Sequence, residues 1–266
     1  MDNNSRRKFI RGMALTGLAA LTLPPMGTLG LDIQEKGGHT GSPLHTPRKT
    51  VVKGPVILFQ GDSITDGNRG RNTDPNHIMG HGYAFSISSR WGAEYPNKRL
   101  TFINKGVSGN KVNDLASRWQ EDALDLKPDV LSILIGVNDS SSVVFEREPI
   151  ISVEKYEAIY KSLLDQTKAQ FPEIVFVLCE PFMLPVGKVK ELWDAYKADI
   201  AKRQAVVMKL ASQYHAVFIG LQEVFDKACE KAPADYWIWD GVHPTVAGHE
   251  MITREWIRLV GKRISL

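Results

Sequence analysis

Hydrophobic residues fall along this chain in two alternating rhythms. Short, nearly continuous apolar runs open residues 56–66 and recur at Leu100–Asn104, Val130–Ile135, Ile174–Leu178 and Ala216–Ile219. Runs of this length, rich in Val, Ile, Leu and Phe and bounded by Gly, Pro or Asn, predict strands covered on both faces. Between them the apolar positions recur at helical spacing. Tyr83–Tyr95 places Phe85, Ile87, Trp91 and Tyr95 mostly on one face, and Asp114–Leu126 reads as a helix that Pro128 ends. Residues 153–170 carry the stripe Val153, Tyr156, Ile159, Tyr160, Leu163 and Leu164. Residues 190–214 carry Trp193, Tyr196, Ile200, Val207, Leu210 and Tyr214, and Thr245 opens a last helix that runs to about Gly261. Strands alternating with helices of this length require crossover connections, which predicts an α/β fold with a parallel sheet and helices on both faces.

The first fifty residues break the rhythm. Arg6, Arg7, Lys8 and Arg11 precede an uncharged stretch, Gly12–Leu23, that is short for a membrane span and fits the core of an export leader. The arginine pair ahead of Phe9 and Ile10 resembles a twin-arginine signal. The expected organisation is therefore a leader over 1–30, a Gly-, Pro- and Thr-rich spacer over 31–50, and one domain over 51–266, exported and with no stable membrane insertion once the leader is removed. Charge supports the division. The leader's four basic residues and one acid, Asp2, account for the whole formal +3 of the 266-residue chain, so the body is formally neutral and has no electrostatic footprint for nucleic acid. Of the two cysteines, Cys179 ends an apolar strand and reads as a small buried hydrophobe rather than half of a disulfide with Cys229. His77 and His81 lie in a Gly-rich loop, not on a helix face, so no metal site is expected.

The chemistry gathers at the ends of the predicted strands. Ser63 follows the first strand in Gly61-Asp62-Ser63-Ile64-Thr65, where open α/β sheets hold their ligands. Asn104-Lys-Gly-Val-Ser-Gly109 follows the second, Gly136-Val-Asn138-Asp139 the third, and Asp240-Gly-Val-His243-Pro lies near the C-terminus. Ser108 misses the Gly-x-Ser-x-Gly nucleophile elbow, because Asn110 stands at its last position. These four segments, in this order across essentially the whole domain, resemble the four sequence blocks of the GDSL esterases, also called SGNH hydrolases. The resemblance implies a three-layer α/β/α fold with a five-stranded parallel sheet in flavodoxin-like order, and a serine esterase that works through an acyl-enzyme without a cofactor.

Acyl transfer needs a nucleophile, a base, a group that orients the base, and donors for the oxyanion. Ser63, His243 and Asp240 supply the first three, because Asp-x-x-His lets a carboxylate fold back onto the ring three residues later. Residue by residue, the family blocks imply an oxyanion hole made of the Ser63 and Gly109 N–H groups and the Asn138 amide. Asp62 and Asp139 are assigned to backbone support. Tyr236, Trp237 and Trp239 suit sugar faces, and the polar loop 66–81 suits a substrate rim, which favours a short acyl group such as acetyl on an oligosaccharide or other small polar ester. Two alternatives stand beside this reading. One is a lysophospholipase or thioesterase with an acyl channel built from Phe182, Met183, Leu184 and Trp237. The other is a noncatalytic carbohydrate-binding protein on the same scaffold, which has no need for the serine, histidine and aspartate.

Overall fold

The computed structural model describes residues 53–264. The expected leader and the expected spacer both lie outside the described residues. The chain runs β1 (Val56–Gly61), α1 (Ser63–Asp66), α2 (Tyr83–Glu94), β2 (Thr101–Asn104), α3 (Val112–Ser117), α4 (Trp119–Asp122), β3 (Val130–Leu134) and α5 (Val137–Val144). It continues through α6 (Val153–Gln170), β4 (Val175–Cys179), α7 (Gly187–Glu191), α8 (Trp193–Gln213), β5 (Val217–Ile219), α9 (Leu221–Cys229), α10 (Ala234–Trp237) and α11 (Val246–Val260).

All strand pairs are parallel, in the order β2-β1-β3-β4-β5. This is the expected flavodoxin-like sheet, whose crossovers place helices on both faces. Because side chains alternate along a strand, Ile57 and Phe59 of β1 pack toward α2, α9 and α11, while Leu58 packs toward α3, α6 and α8. The first layer centres on Trp256, wholly buried, with Trp91 against it at 4.9 Å and its indole N–H donating to Ser132 Oγ at 3.0 Å. That bond satisfies the one polar group such a ring brings into a core. Cys179 is buried beside Ser132 and unpaired, with burial pushing its thiol up to about 12.

Several local expectations change. The helix expected over Asp114–Leu126 is three pieces: the chain breaks at Arg118 (φ −120°, ψ 11°), restarts as α4, and closes in a 3₁₀ turn at Leu124–Leu126. Arg118 turns its guanidinium inward to Gln60 Oε1, Lys105 O, Asn110 Oδ1 and Asp122 Oδ2, and those bonds outweigh the local preference to continue. In α2 the buried face is Tyr83, Ala84, Ile87 and Trp91, whereas Phe85 is exposed. Helices α5 and α9 are the longest of those additional to the expected elements. α5, Val-Asn-Asp-Ser-Ser-Ser-Val-Val, is poor in helix formers and is held by burial of Val137, Asp139, Ser140 and Ser142 against the rest of the fold. The last helix matches its expected start, with Thr245 Oγ1 accepting from the Gly248 N–H as an N-cap.

Candidate active site

The sheet order brings three loops together. β1 lies between β2 and β3, so Ser63 at the start of α1 is flanked by the turn after β2 and by α5 after β3. Gly61 (φ +158°) makes the transition possible, because a Cβ there meets Leu134 O at 2.3 Å. Asp62 caps α1 by accepting from the Ile64 N–H at 3.0 Å.

Residues 238–245 deliver the imidazole. Ile238 bridges Pro244, and the Trp239 N–H bonds His243 O, which folds the segment back on itself around Asp240. Gly241, at φ +97° and pressed against Val189, makes that reversal. Within it Asp240 divides its oxygens. Oδ1 accepts from the Val242 and His243 N–H groups at 2.9 and 2.7 Å, and Oδ2 faces His243 Nδ1 at 2.7 Å. His243 Nε2 then lies 2.8 Å from Ser63 Oγ, across 180 residues of sequence. With Nδ1–H given to the carboxylate, Nε2 is left as the acceptor of the serine proton.

The electrostatics agree with that polarity. The Asp240 bond carries the His243 pKa above its ordinary value, against the opposing effect of burial. Burial also works against Asp240, but its hydrogen bonds from His243 and from the backbone hold the carboxyl below the usual carboxylate range. Beneath the serine, burial pushes Asp62 up to about 7 and Asp139 up to about 6. Asp139 also accepts from the Val112 N–H at 3.2 Å, which ties α5 to α3. Both residues thus support backbone, as expected.

The expected oxyanion donors sit on the flanking loops. Among the described residues the Gly109 N–H meets no protein acceptor. A Cβ at Gly109 meets open space, so the reason for glycine is its φ of +83°, not crowding by a neighbour. Asn138 Nδ2 spends one hydrogen on Asn110 O at 3.1 Å, which orients the amide beside that turn and leaves its second hydrogen. Ser108 Oγ donates to Asp66 Oδ2 and meets no imidazole.

The aromatic residues separate. Trp239 is 63% exposed and stacks on the His243 ring, with centroids 5.6 Å apart and planes at 21°. Tyr236 is 56% exposed. Trp237 departs from expectation: it packs on the core, and its indole N–H is spent on Ala232 O, because the single turn of α10 rotates it inward. Phe182, Met183 and Leu184, three of the four residues an acyl channel was to use, are sealed in the core, with Phe182 stacked on Phe225 at 4.5 Å. Among the described residues no group of three His, Cys, Asp or Glu side chains is arranged to hold a metal ion.

Sequence reasoning missed a polar network around the turn after β2. Asp66 binds Arg71 and Ser108, and Arg69 Nε donates to Gly106 O at 2.9 Å. Asp66 directly follows the first motif, but nothing local pointed to a partner 42 residues away.

Residues 59–251 match the model of the GDSL-like Lipase/Acylhydrolase family. An acetylxylan esterase from Geobacillus stearothermophilus is 33% identical over 216 residues, which is 79% of this chain and 96% of that one. Its crystal structure superposes with a TM-score of 0.69, covering 79% of this chain and 95% of that one. A candidate GDSL-like lipase from Parabacteroides merdae is 38% identical, with a TM-score of 0.75 over 79% of this chain and 96% of that one. An uncharacterized lipoprotein of Bacillus subtilis is 24% identical over 147 residues, half of this chain and 59% of the relative.

Proposed function

The chain belongs to the GDSL-like lipase/acylhydrolase family and is a carboxylic ester hydrolase, and from that premise we propose that it removes acetyl groups from carbohydrate by a Ser63–His243–Asp240 mechanism. The continuous hydrogen-bonded chain from Ser63 Oγ through His243 to Asp240 carries the reading. His243 Nε2 takes the serine proton as Oγ bonds to the ester carbonyl carbon. The oxyanion of the tetrahedral intermediate faces the Ser63 and Gly109 N–H groups and the free hydrogen of Asn138 Nδ2. His243 returns the proton to the departing sugar oxygen, leaving an acetyl-enzyme. A water then attacks with the same base, and the serine proton is restored as acetate leaves.

Three observations support a carbohydrate acetate over a lipid ester. The 33% identical relative is an acetylxylan esterase. Trp239 offers an exposed indole face directly over the catalytic imidazole, a surface suited to a sugar ring. Phe182, Met183 and Leu184, three of the four side chains on which a long-chain channel depended, are core instead. Each acyl methylene adds about 0.8 kcal/mol only where an apolar trough receives it.

Export belongs to the same proposal. The paired Arg6 and Arg7 before an uncharged stretch support it, as does the likeness to a lipoprotein. Replacing both arginines with Lys should retain the protein in the cytoplasm, and normal export would refute the twin-arginine route.

The central test is a series of chromogenic esters of increasing acyl length beside a panel of acetylated xylo-oligosaccharides, with Ser63→Ala as control. Catalytic efficiency should be highest for acetyl, fall beyond about four carbons, and vanish in the control. Efficiency that climbs toward eight carbons, with no acetate from any glycan, would assign the enzyme to lipid esters.

A further inference from the structure

The turn that presents Gly109 is held from outside at almost every residue. Gly106 N donates to Asn104 Oδ1 at 2.9 Å, Val107 N to Gly61 O at 3.0 Å, and Ser108 N to Asp66 Oδ2 at 3.0 Å. Arg118 Nη1 holds Lys105 O at 2.8 Å, and Asn138 holds Asn110 O. Gly106 has no space for a Cβ, which would lie 2.3 Å from Asp66 N, so the turn rests directly on the end of α1. Gly109 itself stays uncommitted in the middle of this bracing.

One member of the set differs from the others. Asp66 Oδ2 takes both the N–H and the hydroxyl of Ser108, at 3.0 and 2.7 Å, gripping the residue immediately before Gly109. Asp66 is also the last residue of the single helical turn that begins at Ser63. One rigid turn of helix therefore carries the nucleophile at one end and the clamp on the donor loop at the other. The clamp is well made: Asp66 is buried, and Arg71 closes on it through two bonds at 2.9 and 2.7 Å. Charge-assisted bonds of this kind are shorter and stronger than neutral ones. Burial alone would raise the Asp66 pKa, but Arg71 and Ser108 hold it below the carboxylate range, so the clamp stays ionised wherever His243 can act as a base.

We propose that Asp66 is a positioning residue: through Ser108 it fixes the Gly109 N–H at the distance from Ser63 that receives the oxyanion. The proposal rests on the assignment of Gly109 to the oxyanion hole. Asp66 touches neither substrate nor reacting atoms. Its effect is confined to the transition state, because a donor displaced by about 1 Å costs on the order of 10²-fold in rate while leaving ground-state binding little changed.

The test compares Asp66→Ala, Ser108→Ala and Asn138→Ala in aryl acetate hydrolysis and in inhibition by phenylboronic acid, whose tetrahedral adduct on Ser63 places an oxyanion in the hole. Asp66→Ala should lower kcat by about 10²-fold, raise the boronate inhibition constant in parallel and leave KM within about threefold. Ser108→Ala, which keeps the backbone N–H bond, should do the same by roughly five- to tenfold, and adding it to Asp66→Ala should cost nothing more, since both act through one contact. If Asp66→Ala does not fold, the Ser108→Ala result decides alone. Unchanged kcat and boronate affinity in Asp66→Ala or Ser108→Ala, while Asn138→Ala loses both, overturns the clamp and leaves the oxyanion hole standing. If Asn138→Ala is equally silent, the oxyanion assignment falls and the clamp with it. A loss in KM alone would overturn the positioning role.

Discussion

Replacing Asp240 with Asn tests the catalytic polarity more severely than deleting any side chain. The exchange is nearly isosteric, and the surrounding bonds decide how the new amide must sit. The Val242 and His243 N–H groups both point at Oδ1, from 2.9 and 2.7 Å, and need an acceptor there. The amide oxygen therefore takes that position, and its NH₂ is driven toward His243 Nδ1, 2.7 Å away. Facing a donor, Nδ1 must accept, so the imidazole proton moves to Nε2. That nitrogen, 2.8 Å from Ser63 Oγ, can then no longer take the serine proton. The same exchange in a Ser-His-Asp protease costs about 10⁴ in kcat, and the tautomer argument transfers directly, giving a barrier roughly 5 kcal/mol higher here. KM should stay within threefold, and the melting temperature should move by only a few degrees, because the two backbone bonds survive. The pH profile adds a second reading. His243 works only when unprotonated, and the bond to Asp240 carries its pKa above 6.5, so wild-type activity should fall as pH drops through a value higher than 6.5. Without the anion that acid limb should move to lower pH. Steady-state hydrolysis of an aryl acetate from pH 5 to 9, beside thermal melts by circular dichroism, measures all of this. A loss under tenfold, or an acid limb that does not move, would refute the assigned tautomer.

Three further outcomes follow from the geometry. Asn138→Ala should lower kcat by roughly 10²–10³ with little change in KM, in steady-state assays of aryl acetate hydrolysis; an effect on KM alone would make Asn138 a ground-state contact. Trp239→Ala should impair acetate release from an acetylated oligosaccharide more than hydrolysis of a small aryl acetate, and equal losses on both would reassign the indole from sugar platform to support for the His243 ring it stacks on. His249, whose Nδ1 accepts from the Tyr83 N–H, is held by burial at about 4 against 6.5 in the unfolded chain. Between those values the unfolded state binds the extra proton, so stability should decline as pH falls from 6.5 to about 4, by up to roughly 3 kcal/mol from this group. His249→Gln should flatten that slope in urea melts at pH 7 and 4.5, and an unchanged slope would refute it.

What the chain determined on its own is what depends on neighbours in sequence. Continuous apolar runs marked five strands because a doubly covered strand has no polar face, and the amphipathic stripe of α6 marked its helix to the residue. Asp240 and His243 were legible because a three-residue reach closes within one loop, and Ser63 because its strand and turn are local. Tertiary structure decided the rest. Whether Asp114–Leu126 ran on as one helix depended on acceptors that Gln60 and Lys105 bring to Arg118. Whether Trp237 or Trp239 stood exposed beside His243 depended on one turn of α10 and on a core that only the assembled sheet creates. Phe182, Met183 and Leu184 could read as a channel until the assembled core buried all three, with Phe225 of α9 stacked on Phe182. Asp66 and Ser108 meet only because β1 and β2 lie side by side in the sheet, bringing residues 42 apart into hydrogen-bond reach. Residue types set which chemistry was available here, and the packing of the β1, β2 and β3 loops set which atoms are placed to perform it.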